Sequence, residues 1–321
     1  MMAHTLIEFS HVKKTFDQKA AIKDLSFSVQ EGEVFVLVGA SGSGKTTTLR
    51  MVNELITPTA GHIFFDGREI KDYDRRALRL KMGYVLQQIA LFPNMSVAQN
   101  VALIPSMKKQ SKGKIGQLVE QLLADVDLDP ATYRDRMPSE LSGGEQQRVG
   151  ILRAFAGQPE IVLMDEPFSA LDPITRNQLQ TLVLDIHRKL HSTIVFVTHD
   201  MDEALKLGDR IGVMQAGNLL QVGTGQEIVQ HPNDPFVHQL FEKSLAHDVY
   251  DVYLSKLKML GYLRPLPTTE IGPLLSQDQT VRDALTALTE SAQIQVKTSD
   301  GEGEMLTRND LFRFMSDYRN H

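Results

Sequence analysis

The sequence predicts a mixed α/β chain: a parallel sheet with crossover helices, an antiparallel β subdomain, an inserted helical subdomain, and a small α/β domain at the end. Three observations carry that expectation. Short β-branched runs, VFVLVG (34–39), IVLMD (161–165) and TIVFVTH (193–199), read as strands buried on both faces, and a helical pattern precedes each of the last two. Residues 1–30 instead alternate apolar and polar, as half-buried antiparallel strands do. From Leu91 to Pro138 the pattern is helical and polar, with no buried strand. The length of 321 residues also exceeds one average domain of about 150.

In chain order, LIEFSHVKKTF (6–16) and AIKDLSFSV (21–29) form the first strand pair, closing at Gly32. VFVLV leads into a glycine-rich loop and a helix, KTTTLRMVNELI (45–56). Leu49, Val52 and Leu55 or Ile56 share one face of that helix, and Pro58 stops it. GHIFFDGREI (61–70) reads as a hairpin turning at Asp66-Gly67, and RIGVMQAGNLLQVG (210–223) as another turning at Gly217-Asn218. IGQLVEQLLADVDL (115–128) has the spacing of an amphipathic helix, within a helical subdomain of about 88–140. Composition shifts near Lys243, which divides the chain into domains 1–243 and 244–321. The second begins with a helix from His247 to Leu260, breaks at LRPLPTTEIGP (263–273), and becomes a compact α/β piece from Leu274.

Composition narrows the function classes. With no cysteine, disulfides, thiolate metal sites and cysteine nucleophiles are excluded. A net charge of -6 gives no footprint for duplex nucleic acid, so none is expected as a partner. No stretch reaches the roughly 18 apolar residues that span a bilayer, and the N-terminus lacks a signal-peptide core. Any service to a membrane is expected through a spanning partner.

GASGSGKT (39–46) fits the phosphate-loop pattern G-x-x-x-x-G-K-[ST], flanked by the required strand and helix. Its glycines let the backbone curl around phosphate oxygens, and the helix N-terminus adds partial positive charge. Lys45 should reach the β- and γ-phosphates, and the Thr46 hydroxyl should ligate magnesium. The run Gly39, Ser41, Gly42, Ser43, Gly44, Lys45, Thr46 and Thr47 is the candidate phosphate cradle. The buried strand IVLMD ends in Asp165, a carboxylate placed to hold magnesium, and Glu166 follows as a candidate base for the attacking water.

LSGGEQQRVGILRAFA (141–156) makes the resemblance specific: with the phosphate loop and IVLMDEP, it is similar to the ATP-hydrolysing subunits of ABC transporters. Ser142 can cap the following helix, leaving Gly143 and Gly144 open for an anion. The resemblance implies that this anion is ATP, bound with Mg2+ on a second copy of the chain. It implies that Ser142, Gly143, Gly144 and Glu145 close over the facing nucleotide, Glu145 replacing a commoner glutamine. It also implies that Gln87 senses magnesium and water, that His199 contacts the γ-phosphate, and that Asp172 (in SALD, 169–172) crosses between subunits. Phe16 would stack on adenine. Leu91, Phe92, Pro93 and Met95 are offered to a membrane-spanning permease or to internal packing.

LRMVNELITPTAGHIFFDG (49–67) and GYVLQQIALFPNMSVAQNVALIP (83–105) most resemble importers of quaternary-ammonium osmoprotectants: glycine betaine, carnitine or choline. That resemblance implies a peripheral protein on the cytoplasmic face of the membrane, serving a permease and, indirectly, a substrate-binding protein. TVRDALTALTE (280–290) and IQVKTSDGEGEMLTRNDLFRFM (294–315) resemble a single cystathionine-β-synthase (CBS) motif, at about 274–317, where the family often carries two. That unit either binds a small molecule or nucleotide or serves only to dimerise. Two alternatives stay open: an importer of methionine or another amino acid, and a soluble ABC ATPase outside transport.

Overall fold

The computed structural model describes residues 4–88, 90–169, 171–245, 249–266, 272–298 and 303–319. Two compact units emerge, one formed by Met1–Asp200 with Leu207–Val222, the other by Met201–Lys206 with Gly223–His321.

The first unit opens with β1 (Thr5–Phe16) and β2 (Lys19–Gln30), paired antiparallel with Phe9 opposite Phe27. Those rings stack at 4.6 Å, and Phe27 stacks in turn on Phe35 at 5.2 Å. β3 (Val34–Val38) follows, buried at all five positions, and α1 (Lys45–Val52) leaves the loop after it. β4 (Ala60–Phe65) and β5 (Arg68–Glu69) join through Asp66 and Gly67, whose φ of 50° and 70° suit a tight hairpin turn. α2 (Arg75–Leu80) and β6 (Met82–Val85) come next, then the helices α3 (Val97–Met107), α4 (Lys112–Ala124), α5 (Pro130–Tyr133) and α6 (Gly143–Ala156). β7 (Ile161–Asp165), α7 (Pro173–Leu190), β8 (Thr193–Thr198), β9 (Arg210–Gln215) and β10 (Asn218–Gly223) complete it, while α8 (Met201–Leu207), between β8 and β9 in the chain, belongs to the second unit except for its last residue.

Ten strands join in the order β5-β4-β1-β2-β10-β9-β3-β8-β7-β6. The run β9-β3-β8-β7-β6 is parallel throughout, so the carboxyl ends of β3, β6, β7 and β8 share one edge, where open α/β sheets build their sites. Phe35, Leu37, Leu163, Val195 and Val197 fill one core with Ile7, Phe9 and Leu49. Each such side chain contributes about 1.5–3 kcal/mol when fully buried, and truncation to alanine costs about 2–5 kcal/mol.

The second unit contains α9 (Gly225–Gln230), α10 (Pro235–Leu245), α11 (Leu254–Met259), β11 (Arg264–Pro265), β12 (Leu274–Ser276), α12 (Val281–Glu290), β13 (Gln293–Lys297), β14 (Gly303–Thr307) and α13 (Arg308–Arg319). Its sheet runs β11-β14-β13-β12, with β12 parallel to β13 and the other pairs antiparallel. Val281, Leu288, Ile294, Val296, Leu306 and Phe314 lie in its core. Contacts place α9 and α10 in this unit, ahead of the composition shift near Lys243. A side chain at Gly225, for example, would meet Met259 Sδ at 2.8 Å.

Four local readings change. α1 ends at Val52 rather than Ile56, because Glu54 turns left-handed (φ 55°), with Leu55 N donating to Arg50 O and Glu54 N to Met51 O. Leu55 is consequently exposed. The second hairpin turns at Ala216-Gly217, and Asn218 already belongs to β10. The helix expected from His247 begins outside the described residues, and from 249 to 260 no single helix runs: Val249–Asp251 is a 3-10 turn and α11 starts at Leu254. There the backbone pairs elsewhere, Leu254 N with Gln279 O and Val281 N with Val252 O, and tertiary pairing overrides helix propensity. β6, paired parallel to β7, is a strand the hydrophobic pattern does not announce.

Ile89, Ala170, Pro267–Ile271 and Ser299–Glu302 lie outside the described residues. With them lie parts of the QQIALFP, SALD, proline-rich and SDGEGE segments. No helix among the described residues is long and apolar enough to cross a membrane.

Candidate nucleotide site

The loop between β3 and α1 is shaped by glycine at two positions. Gly39 has φ 154° and lies so close to β9 that a Cβ would sit 2.1 Å from Met214 O; Gly44, at φ 107°, caps α1 where a Cβ would meet the Ile22 side chain at 2.5 Å. Ser41 and Gly42 form its exposed tip, Ser43 is buried beneath, and Thr47 is half-buried in the first turn of α1. Lys45 is buried, and its Nζ donates to Gly39 O at 2.7 Å and Ala40 O at 3.1 Å. Burial pushes the Lys45 pKa down, and the carboxylates of Glu166 and Asp165 oppose that shift.

Asp165 closes β7 beside this loop. Its Oδ1 accepts from Thr46 Oγ1 at 2.7 Å, and Arg50 Nη2 lies 3.6 Å from its Oδ2. Burial nevertheless raises its pKa, outweighing the Thr46 hydrogen bond and the Arg50 charge. Tyr84, on β6, is pushed up to about 12 by burial and then by Asp165. Arg50 and Tyr84 therefore bear on this carboxylate without belonging to a recognised motif. The signal for Arg50 was its position four residues after Thr46, one helical turn along the same face.

Glu166 adopts a left-handed φ of 44°, held by its N–H donating to Val197 O at 3.0 Å. Such a conformation on a non-glycine residue stores strain of order 1–3 kcal/mol and is a mark of functional sites. Its Oε2 accepts from Gln87 Nε2 at 3.3 Å and lies 3.1 Å from His199 Nδ1. Three parallel strand ends thus bring Gln87, Glu166 and His199 together, one residue beyond the Asp165–Thr46 pair. Ser169 is tied to the same turn, its Oγ donating to Glu166 O.

The other candidates stand apart from that group. Ser142 is exposed and caps α6: its Oγ accepts from Glu145 N, and Glu145 Oε2 accepts from Ser142 N at 2.7 Å. Tyr133 OH donates to Glu145 Oε1 at 2.6 Å, and this bond with that from Ser142 N holds the carboxyl below its usual range. Gly143 and Gly144 form the first turn, and a Cβ on Gly143 would meet only open space. Asp172 caps α7 by accepting from Ile174 N and Thr175 N. Phe16 is 43% exposed at the end of β1, with Lys14 Nζ 4.7 Å from its ring centroid. Phe92 is equally exposed, beside Arg153, while Leu91 and Met95 are half-buried.

A phosphate-loop lysine, a strand-end carboxylate pair and a capped glycine helix end make the chemistry of nucleoside triphosphate binding. Comparison with known proteins gives that chemistry a family. The family described as ABC transporter matches residues 22–169. The glycine betaine uptake system ATP-binding protein YehX of Escherichia coli (strain K12) is 44% identical over 280 residues, covering 87% of this chain and 89% of the relative. The chain belongs to the ABC transporter family. The choline transport ATP-binding protein OpuBA of Bacillus subtilis (strain 168) is 48% identical over 239 residues, 74% of this ABC ATPase and 62% of the relative. The dimeric structure of MJ0796, a bacterial ABC transporter cassette, aligns with a TM-score of 0.62 and 32% identity, covering 68% of this chain and 99% of that one. The ABC ATPase fold and ATP as its nucleotide follow from this membership.

Proposed function

We propose that this ABC ATPase is the energy-coupling subunit of an importer of quaternary-ammonium osmoprotectants such as glycine betaine, carnitine or choline. The observation that carries the chemistry is the Glu166 carboxylate, held between the Gln87 amide and the His199 ring beside Asp165. Support for the cargo comes from relatives named for choline and glycine betaine transport, at 48% and 44% identity.

In this reading Lys45 and the 39–47 backbone hold the phosphates of ATP. Glu166 takes the proton of the attacking water, His199 contacts the γ-phosphate, and Gln87 links the water to the helical subdomain. The oxygen donors of Thr46, Asp165 and Gln87 suit a hard divalent cation. These residues would hold magnesium, whose chemistry there is neutralisation of charge on the phosphate oxygens. Phe16 offers a face for adenine. Ser142 to Glu145 of one copy close over the nucleotide of the other, and Asp172 lies near that seam, so that nucleotide binding and dimer closure are thermodynamically linked.

The protein then works peripherally, on the cytoplasmic face of the membrane, against a spanning permease that meets the helical subdomain near Phe92. A substrate-binding protein delivers the solute to that permease. The C-terminal helix–strand–strand–helix order, α12-β13-β14-α13, supports a single CBS-like unit that regulates or dimerises. Reconstituting the chain with its permease and measuring ATP hydrolysis against each solute tests the reading. Stimulation by a quaternary ammonium compound is expected; stimulation by methionine alone, or by none, overturns it.

A further inference from the structure

The C-terminal unit holds a cavity of about 400 Å3 between α9, α10, the segment after α11, and α13. This volume lies near the lower end of the roughly 300–1,000 Å3 usual for small-molecule sites. Its walls are aromatic: Phe241 and Phe314 are buried, Tyr262 stands edge-on to Phe314 at 5.2 Å and 76°, and Tyr318 lies 5.2 Å from Phe314. Two carboxylates, Asp317 and Glu242, join them, while neither lysine nor arginine is among its described lining residues.

We propose that this cavity binds a small organic cation bearing a methylated ammonium group, with the rings against its methyl groups and Asp317 and Glu242 as countercharge. Aromatic faces attract such cations through their electron-rich π clouds, and the attraction grows as water is excluded. Phosphate ligands are disfavoured, because the described lining residues include no arginine or lysine to pair with them. A bare inorganic cation would require six or more oxygen ligands, which aromatic walls do not supply. Two cations touch lining residues without lining the cavity themselves: Lys256 Nζ stands 6.0 Å from the Tyr318 ring centroid, and solvated Arg313 lies 3.8 Å from Asp317. Neither fills the cavity. Tyr262 OH donates to Asp317 Oδ2 at 2.7 Å and fixes that carboxylate in orientation. Burial and the Asp317 carboxylate push the Tyr262 pKa up to about 12, so the donor stays protonated. His238, whose Nδ1 lies 3.8 Å from Glu242, and Gln230 are further polar groups at the wall. Only the choice of methylated ammonium over other organic cations rests on the proposed cargo; the cation site rests on the cavity.

Calorimetric titration of the purified full chain tests this. The probes are tetramethylammonium, choline and glycine betaine, against sodium chloride at matched ionic strength. A further probe is the uncharged analogue of choline in which carbon replaces the quaternary nitrogen. Saturable binding of choline is expected, with affinity about tenfold weaker for the carbon analogue. Asp317→Asn, a mild change at a partly exposed position, should weaken choline about tenfold, as should Tyr318→Leu, with ATP affinity unchanged in both. No saturable binding of any methylated ammonium, equal binding of the carbon analogue, or unchanged affinity in both variants overturns the proposal. If choline binds here but no quaternary ammonium stimulates the reconstituted transporter, the cargo reading fails and the cavity stands. Stimulation without binding to the chain sinks the cavity alone.

Discussion

Replacing Glu166 by glutamine separates chemistry from binding. Both polar contacts, to Gln87 and His199, fall on Oε2, and the amide oxygen can take that place and keep them, so the cost to local stability should not exceed about 0.5–1.5 kcal/mol. Loss of a general base removes about 10²–10⁴ in rate, or roughly 2.7–5.4 kcal/mol of barrier. The kinetic effect is therefore the larger, and the fold should survive. ATP affinity should hold or rise slightly, because a negative charge near the phosphate loop disappears while Lys45 keeps its bonds to Gly39 O and Ala40 O. Phosphate release under saturating ATP-Mg2+ measures the rate, equilibrium dialysis the affinity, and size exclusion the ATP-dependent dimer expected to accumulate. A variant within tenfold of the parent rate, or one that loses ATP affinity together with rate, would refute the assignment of Glu166.

Lys45→Ala should weaken ATP about ten- to hundredfold, the worth of one charge-assisted hydrogen bond; unchanged affinity in dialysis contradicts the loop assignment. Glu145→Gln should preserve the Ser142 cap but remove a favourable charge from the start of α6, about 0.3–1 kcal/mol in a melt. In the proposed dimer, where this helix end closes over the partner's nucleotide, the same change should tighten ATP-dependent association by removing a carboxylate; weaker dimers by sedimentation argue otherwise. In the C-terminal unit, burial raises the Asp310 pKa, but hydrogen bonds from Thr307 and Arg264 bring it below the usual 3.8. A lowered folded-state value means stability present above pH 3.8 and lost as pH falls through the folded-state pKa, so melts of the parent and Asp310→Asn should converge there.

VFVLV, IVLMD and TIVFVT are readable from sequence because strands covered on both faces carry continuous apolar runs. β6 is not, being four residues that include Gly83, where a Cβ would lie 2.4 Å from Ala154 O. The end of α1 depends on Glu54 taking a left-handed conformation, which side-chain propensity does not announce. Residues 252–255 look helical in isolation, yet they give their backbone to 277–281, a partner that no local window contains. The site divides in the same way. Lys45, Thr46, Asp165 and Glu166 sit in contiguous motifs, so spacing alone nominates them. Arg50 and Tyr84 meet Asp165 only because α1 and β6 converge on the end of β7, and long-range convergence leaves no mark in spacing.

The charges around that strand end bear on why one copy would be insufficient. Lys45 and Arg50 are countered by Asp165 and Glu166, so the cluster is close to neutral before any triphosphate arrives. Burial weakens both sides of the balance, lowering the pKa of Lys45 and raising that of Asp165. A triphosphate adds several negative charges to a partly desolvated site, where unpaired charge is expensive. Lys45 and the first turn of α1 offset only part of this. In the proposed function the remainder comes from outside the protomer's side chains, from a divalent cation at Thr46 and Asp165 and from the helix end behind Ser142 of a second copy. An electrostatic deficit of this kind favours closure of two copies around the nucleotide, and relieves it once the γ-phosphate has been cleaved and released.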